Sequence, residues 1–456
     1  MNKETIFWYD LESFGLNTAK DRIAQAAGLR TDLDLNIIGE ELNIVCKITP
    51  DYLPNPGACL VTKITPQDTL EQGLNEADFI KIIRDEFMVP NTTVTGFNNI
   101  SYDDELIRHT LYRNLYNSYE REYGDGRSRW DVLNLARAIH DLRPEGINFF
   151  HRSEKNHPQV KLTYLTEDNN IEQIGAHDAL VDIYATINFA KLVKEKQPKM
   201  YDFYYTHRQK NTLVEFLKGK RTVLLTTGFF TNEYGFTRPI ALITTINDKT
   251  RQVYYFDLTQ DASKLLEPFT SIKEVPGLSS FQLNKCPYLA PISILEKEAD
   301  VQKRLNIDMD LYRKNMRLIL ENPQIENYIN SLDHTYLNPD SEKDDIDYNL
   351  YSSPFLTYEV VREYNKILKE KPENKIASAS ASAKEKTFRL VARNWPEALT
   401  GDEKIQWNSF IKTKLENKLA DYFRSIEETP RNSAEDKEIL DNLTEYGKML
   451  EEEYKA

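Results

Sequence analysis

Cysteine is scarce: Cys46, Cys59 and Cys286 are the only 3 in 456 residues, odd in number and far apart. Neither a disulfide framework nor a Cys-based zinc site is supported by that spacing, which leaves three ordinary buried thiols. Nowhere do about 18 apolar residues follow one another, so no membrane-crossing helix is expected. The opening stretch MNKETIFWYDLESFG interrupts a short apolar run with acids and carries neither the core nor the cleavage pattern of a signal peptide. These absences predict an intracellular, cytoplasmic protein with no membrane partner. Positive charge is also outnumbered, with 58 Lys and Arg against 72 Asp and Glu and a formal net charge of -14. Indiscriminate binding to polyanions is therefore disfavoured, and any nucleic-acid surface must be a local basic feature. No internal repeat is evident.

What is present is an ordinary soluble composition, 40% hydrophobic and 29% charged, over a length sufficient for two or three domains with their own cores. One basic window covers residues 191–221, where Lys191, Lys194, Lys196, Lys199, Arg208, Lys210, Lys218, Lys220 and Arg221 face only Glu195, Asp202 and Glu215. A solvated helix face is the commoner meaning of such a run.

Up to about residue 200 the chain alternates strand and helix signals, which predicts an α/β fold with a mixed sheet flanked by helices. Residues 5–15 start with a short apolar run, a strand buried on both faces. Residues 23–31 and 37–48 read as two more strands of an antiparallel meander, joined by a polar turn at 32–36. A helix is predicted over 76–87, ended by Val89-Pro90, then a strand at 92–97 and helices at 101–115, 129–142 and 176–196. Residues 221–258 read as short strands separated by turns at 232–235 and 247–250. Helices are predicted over 301–332, 358–369, 403–427 and 434–454, with the Ser/Ala run at 378–383 as a flexible interruption.

Three constellations carry chemistry. Asp10 and Glu12 lie two apart on the first strand and so point the same way. Like charges that close resist ionising together unless a divalent cation sits between them, although a solvated strand end also satisfies this short pattern. In GFNNISYDDEL, residues 96–106, Ser101 is a good N-cap, and Asp103, Asp104 and Glu105 complement the dipole of the first helical turn. The same position, where a strand meets a helix, would equally let Asp103 face the cleft of Asp10 and Glu12. The third, AHDALVDIYATINFAKL at 176–192, has apolar residues almost all round, which predicts a buried helix, and sets Asp182 among them with no Lys or Arg within a turn of it. A carboxylate so placed needs a hydrogen-bonding partner in the core or a bound cation. His177, five residues earlier at the helix entrance, has the pKa range of a general base.

Together, Asp10, Glu12, Asp103, Asp182 and His177 resemble the DEDDh exonuclease family, with the three motifs in that family's order and spacing. The related DEDDy pattern would need Tyr four residues before the last acid, where Asp178 stands. The likeness extends to the exodeoxyribonuclease I family of bacteria through YDLESFG, AQAAGLRTD, DYLPNPGACLVTKITPQ, GFNNISYDDE, SRWDVLNLARA, LRPEGIN, AHDALVDIYATI and THRQK. It continues through NKCPYLAP, RLNID, LILENPQ and ARNWP, thinning after about residue 340.

The resemblance implies a ribonuclease H-like exonuclease domain at 1–200, a small SH3-like β domain with connecting helices at 201–340, and a helical C-terminal domain at 341–456. It implies 3′ to 5′ hydrolysis of single-stranded DNA to 5′-mononucleotides, in DNA repair and recombination. Two Mg2+ ions, or Mn2+, would be held by Asp10, Glu12, Asp182 and Asp103, with His177 as the base. Single-stranded DNA would stack on or be contacted by Phe14, Trp130, Phe149, Phe150, Asn98 and Asn99; core packing and turn closure are the structural alternatives for Trp130 and the two Asn. The acidic, apolar tail of single-stranded DNA-binding protein would be received by Arg143 and Arg221, although Phe203 stands where the family has Tyr. A monomer is expected. Two other functions remain open at this point, an RNA 3′-end processing exonuclease and a catalytically silent recruitment protein on single-stranded DNA.

Overall fold

The opening run becomes the middle strand of a five-stranded sheet. The structure is a computed structural model, describing residues 3–173, 178–332, 345–416 and 418–454. Strand β1 (Thr5–Ser13) pairs antiparallel with β2 (Ile23–Thr31), which pairs antiparallel with β3 (Leu42–Val45). On its other side β1 runs parallel to β4 (Thr92–Thr95), and β4 to the two-residue β5 (Ser128–Arg129), giving the order β3-β2-β1-β4-β5. Alternation along β1 explains its composition. Ile6 and Trp8 enter one apolar cluster, while Phe7, Tyr9 and Leu11 enter another on the opposite face.

Helix α1 (Glu76–Phe87) covers the second of these faces with Phe79, Ile80, Ile83 and Phe87. Helix α2 (Asp103–Arg113) follows β4, and α3 (Val132–Leu142) follows β5. The short α4 (Leu162–Asp168) and the long α5 (Ala179–Lys196) complete the unit, α5 packing across β1 and β2. Two sequence-based expectations change here. The strand expected over 37–48 shrinks to Leu42–Val45, because the Gly39-Glu40-Glu41 segment is exposed and Gly39 sits at φ 93°. Helix α5 is not buried all round: Leu180, Val181, Asp182 and Tyr184 are half-buried and Asn188 is exposed.

A second antiparallel sheet contains β6 (Thr222–Thr226), β7 (Thr237–Leu242), β8 (Gln252–Asp257), β9 (Leu278–Gln282) and β10 (Tyr288–Pro291), in the order β10-β6-β7-β8-β9. The edges β9 and β10 carry two Ser and a Pro, which removes the alternating apolar signal that marks the other three. Tyr288 and Ala290 of β10 belong to the same apolar cluster as Trp8 and Trp130, so the two sheets share a core.

Helices α6 (Lys384–Asn394), α7 (Gly401–Glu416), α8 (Leu419–Glu428) and α9 (Ala434–Tyr454) close over the other flank, burying Phe14, Ala24, Ile48 and Tyr52 of the first unit. The Ser/Ala run is bonded and partly packed where the sequence suggested a flexible interruption. It turns the chain from helix Pro372–Ser378 into α6, with the Ser380 N–H bonded to Glu363 at 2.8 Å and Ala383 2% exposed. No helix among the described residues is long and apolar enough to cross a membrane. The three thiols are free and buried, as their spacing suggested.

Charge also crosses this seam. Arg393 of α6 lies 3.0 Å from Asp51 and bonds Asp347, Lys414 of α7 lies 3.3 Å from Asp51, and Arg22 lies 3.5 Å from Asp51 and 3.8 Å from Glu76. Arg113 bonds Glu76 at 2.8 Å. Although burial alone would raise it, the Glu76 carboxyl is held at about 2 by Arg113 and Arg22, against an ordinary 4.5. A depressed carboxylate contributes stability above its ordinary pKa and loses it as pH falls through the folded one. Glu76→Gln is therefore expected to cost about 3 kcal/mol at pH 7 and to flatten the acid limb of stability between pH 4.5 and about 2, read by chemical denaturation at each pH.

Candidate active site

Asp10 and Glu12 leave β1 on one face, opposite Ala27 and Gln25 of β2. The pairing shifts between Glu12 and Ser13, a bulge that re-aims the strand end. Just beyond it, Ser13 Oγ and Tyr102 Oη lie 2.6 Å apart and each is 2.7 Å from the Gly15 carbonyl oxygen. Tyr102 immediately precedes α2, so this knot fixes the start of the helix against the end of the strand.

Asp103 and Asp104 are adjacent but face opposite tasks, since neighbouring helical side chains diverge by about 100°. Asp104 turns inward, accepting from Tyr9 Oη at 2.7 Å and from Arg121 and Arg129 at 2.6 Å each. These two guanidiniums hold its carboxyl far below the usual range despite burial. Asp103, 5% exposed, has no such partner: burial, Asp104, Asp131 and Glu12 push its carboxyl well up. Ser101 does not cap α2. Tyr102 occupies the cap position without a side-chain bond, and the Asp104 N–H reaches the Asn99 carbonyl at 2.8 Å instead, because the preceding turn bends through Asn98 at φ 68°. Asp131, at the cap of α3, holds that turn by accepting from the N–H groups of Asn98 and Ile100 at 3.1 and 3.3 Å. Burial raises its carboxyl to about 6 in spite of these bonds.

Asp182 comes from the first turn of α5 and accepts from Gln173 Nε2 at 2.7 Å. The charges that act most strongly on Asp10 are those of Asp103, Glu12 and Asp182, all negative, and with burial they drive its carboxyl well above the ordinary range. Glu12 is pushed up to about 8 by burial, Asp182 and Asp178. The chain thus brings four carboxylates from β1, α2 and α5 into mutual electrostatic contact. Among the described residues no three His, Cys, Asp or Glu side chains are drawn together tightly enough to form a metal-holding group by themselves. An all-oxygen, anionic donor set nonetheless has the chemistry that a hard divalent cation requires. His177 lies outside the described residues.

The expected DNA contacts separate sharply. Phe14 is 0% exposed and packs with Tyr52 under the C-terminal helices, and Trp130, also 0% exposed, sits edge-on to Tyr201 and Tyr205. Neither can stack on a base. Asn99 is fully buried and closes its own turn by accepting from the Gly96 N–H at 3.0 Å. Asn98 is exposed, Phe149 is half-buried against His140, and Phe150 is 72% exposed. Arg143 pairs with Glu298, and Arg221 is exposed beside an apolar cavity. Part of the basic window is spent on ion pairs: Lys194 pairs with Asp34, Arg208 with Glu4 and Lys218 with Asp248. Sequence reasoning missed Asp131 and Gln173. Asp131 carried an N-cap signal ahead of an apolar run, whereas Gln173, in a loop nine residues before Asp182, carried none.

A family model described as Exonuclease matches residues 7–190, one described as Exonuclease I SH3-like domain matches 208–333, and one described as Exonuclease I C-terminal domain matches 344–450. Exodeoxyribonuclease I of Haemophilus influenzae is 36% identical over 475 residues, covering 98% of this chain and 98% of that protein. The chain belongs to the exodeoxyribonuclease I family. It is an exonuclease with a ribonuclease H-like part, an SH3-like part and a helical C-terminal part. Among solved structures, the zinc-bound form of the Escherichia coli ExoI complex with single-stranded DNA superposes with a TM-score of 0.90 at 32% identity, covering 98% of this chain and 100% of that one. A complex of SSB and Exonuclease I with the inhibitor CFAM superposes at 0.89 and 32% identity, with the same coverage.

Relieving repulsion should stabilise. Asp10→Asn is expected to raise the stability of the metal-free protein by about 1 kcal/mol, measured by thermal melting in EDTA; a loss of stability would mean that the chain's own donors, rather than an added cation, satisfy the Asp10 carboxylate. Trp130→Ala should cost about 3–5 kcal/mol and Phe150→Ala less than about 0.5 kcal/mol in chemical denaturation.

Proposed function

We propose that this exonuclease removes 5′-mononucleotides from the 3′ end of single-stranded DNA, with Asp10, Glu12, Asp103 and Asp182 at the scissile phosphate. The observation that carries the site is a contrast. The buried carboxylates of Asp51, Glu76, Asp104 and Asp347 each have an arginine beside them, while the charges acting on Asp10 are negative. Asp10, Glu12 and Asp182 would hold one Mg2+, and Asp10 with Asp103 a second, and ions bound there supply a low-pKa water and neutralise charge on the phosphate. His177 takes the proton from the attacking water. Asp131 holds the turn that presents Asn98 towards the terminal nucleotide, and Tyr102 keeps α2 in register with β1. Phe150 offers the exposed ring on which a base can stack.

SSB is the second partner in this reading. Arg221 borders a cavity of about 90 Å³ lined by Leu242, Met316, Ile319, Pro323 and Ile325, with the Glu326 carboxylate at its edge engaged by Thr245, a cation over a largely apolar recess, which suits a tail that is both acidic and apolar. Arg143 would exchange Glu298 for an acid of that tail.

The test uses Mg2+ and matched single-stranded DNA and RNA, each labelled at the 5′ end and resolved at single nucleotides. A DNA ladder shortening from the 3′ end, abolished by EDTA and lowered at least about 100-fold by His177→Ala, is the expected result. Preferred digestion of RNA would overturn the substrate assignment, and binding without digestion would replace the enzyme with a recruitment protein.

A further inference from the structure

We propose that Gln173 is a positioning residue for Asp182, an inference that rests on reading Asp182 as a metal ligand. Gln173 Nε2 lies 2.7 Å from Asp182 Oδ1, and at the other end of the same amide Oε1 lies 2.7 Å from Thr166 Oγ1. An ionised carboxylate has only acceptors, so the nitrogen must face Asp182 and the carbonyl oxygen must face Thr166. Thr166 is 3% exposed in α4, with its hydroxyl also 2.8 Å from the Thr163 carbonyl oxygen. The orientation of Asp182 is therefore set from a second helix, through a side chain that ordinary helix periodicity would never pair with it.

The choice of a neutral donor is the informative part. Asp104 is held by Arg121 and Arg129, which orient it and cancel its charge at once. Gln173 orients Asp182 through an amide that carries no charge of its own, so this contact fixes the carboxylate without opposing a cation. Groups that hydrogen-bond a ligating side chain in this way fix its direction, and their loss typically weakens metal binding about 10–100-fold.

Isothermal titration of the full chain with Mn2+ and with Mg2+ tests this in wild type, Gln173→Met, Thr166→Val and Asp182→Asn. Gln173→Met keeps length and volume and removes the donor. The expected result is an approximately 10–100-fold weaker dissociation constant for Gln173→Met and a smaller loss for Thr166→Val. The metal-free melting temperature should be unchanged, and turnover at saturating metal should stay within a few-fold of wild type. Unchanged metal affinity in Gln173→Met, with affinity lost in Asp182→Asn, overturns the positioning role and leaves the ligand assignment standing. Unchanged affinity in Asp182→Asn overturns the ligand assignment, and this inference with it. If Gln173→Met melts early without metal, Thr166→Val decides, and wild-type affinity there overturns the role.

Discussion

Negative charge that cannot reach water is the constraint on which this structure turns. A buried carboxylate is tolerated only when a donor or a cation lies beside it, and breaking such a pair costs several kcal/mol. At Asp104, Asp51, Glu76 and Asp347 the chain supplies guanidinium groups, and each of these acids is held below its ordinary range. At Asp10, Glu12 and Asp103 it supplies none of comparable strength, and all three are driven up. The two treatments occur within a few residues of each other on the same helix. The difference is therefore placed by local geometry rather than by composition, and it marks the cleft as a place whose acids an added cation would stabilise.

The same logic joins the parts of the molecule. Arg22, Asp51 and Glu76 of the first unit interlock with Arg393, Asp347 and Lys414 beside the C-terminal helices, all but Lys414 buried. Around this charged seam lies an apolar one in which Phe14, Ala24 and Ile48 meet Val391, Trp407 and Leu443. On the other side, Tyr288 bonds the Asp131 carbonyl oxygen and joins the core of the first sheet. The second sheet is thereby tied to the residue that holds the Asn98 turn. The cleft is held from both sides by packing that begins one or two residues from its acids.

Much of this was legible in the chain. The buried central strand, the matching ranges of β2 and α1, and the alternation of elements followed from periods of two and 3.6. The acids of the cleft were legible because each broke an apolar pattern or sat at a helix entrance. What could not be read was orientation. Phe14 and Trp130 stand beside the motifs in sequence, yet both point into cores that only the C-terminal helices and helix Pro198–Thr206 complete. The edge strands β9 and β10 were missed because Ser and Pro erase the alternation, and Gln173 because a loop residue has no period. Ser101 had the chemistry of a cap and lost the position to the geometry of the Asn98 turn.

The paired acids at the start of α2 carry one more consequence. Their roles are set by rotation about the helix axis, and that rotation is pinned where Tyr102 meets Ser13 and Gly15. A single residue inserted or deleted between Asn98 and Tyr102 would turn the helix by about 100°. Asp104 would then be swung away from its arginines and another side chain swung into the cleft. The turn acts as the phase reference of the helix, so its length is under tighter constraint than the identity of the exposed residues it contains.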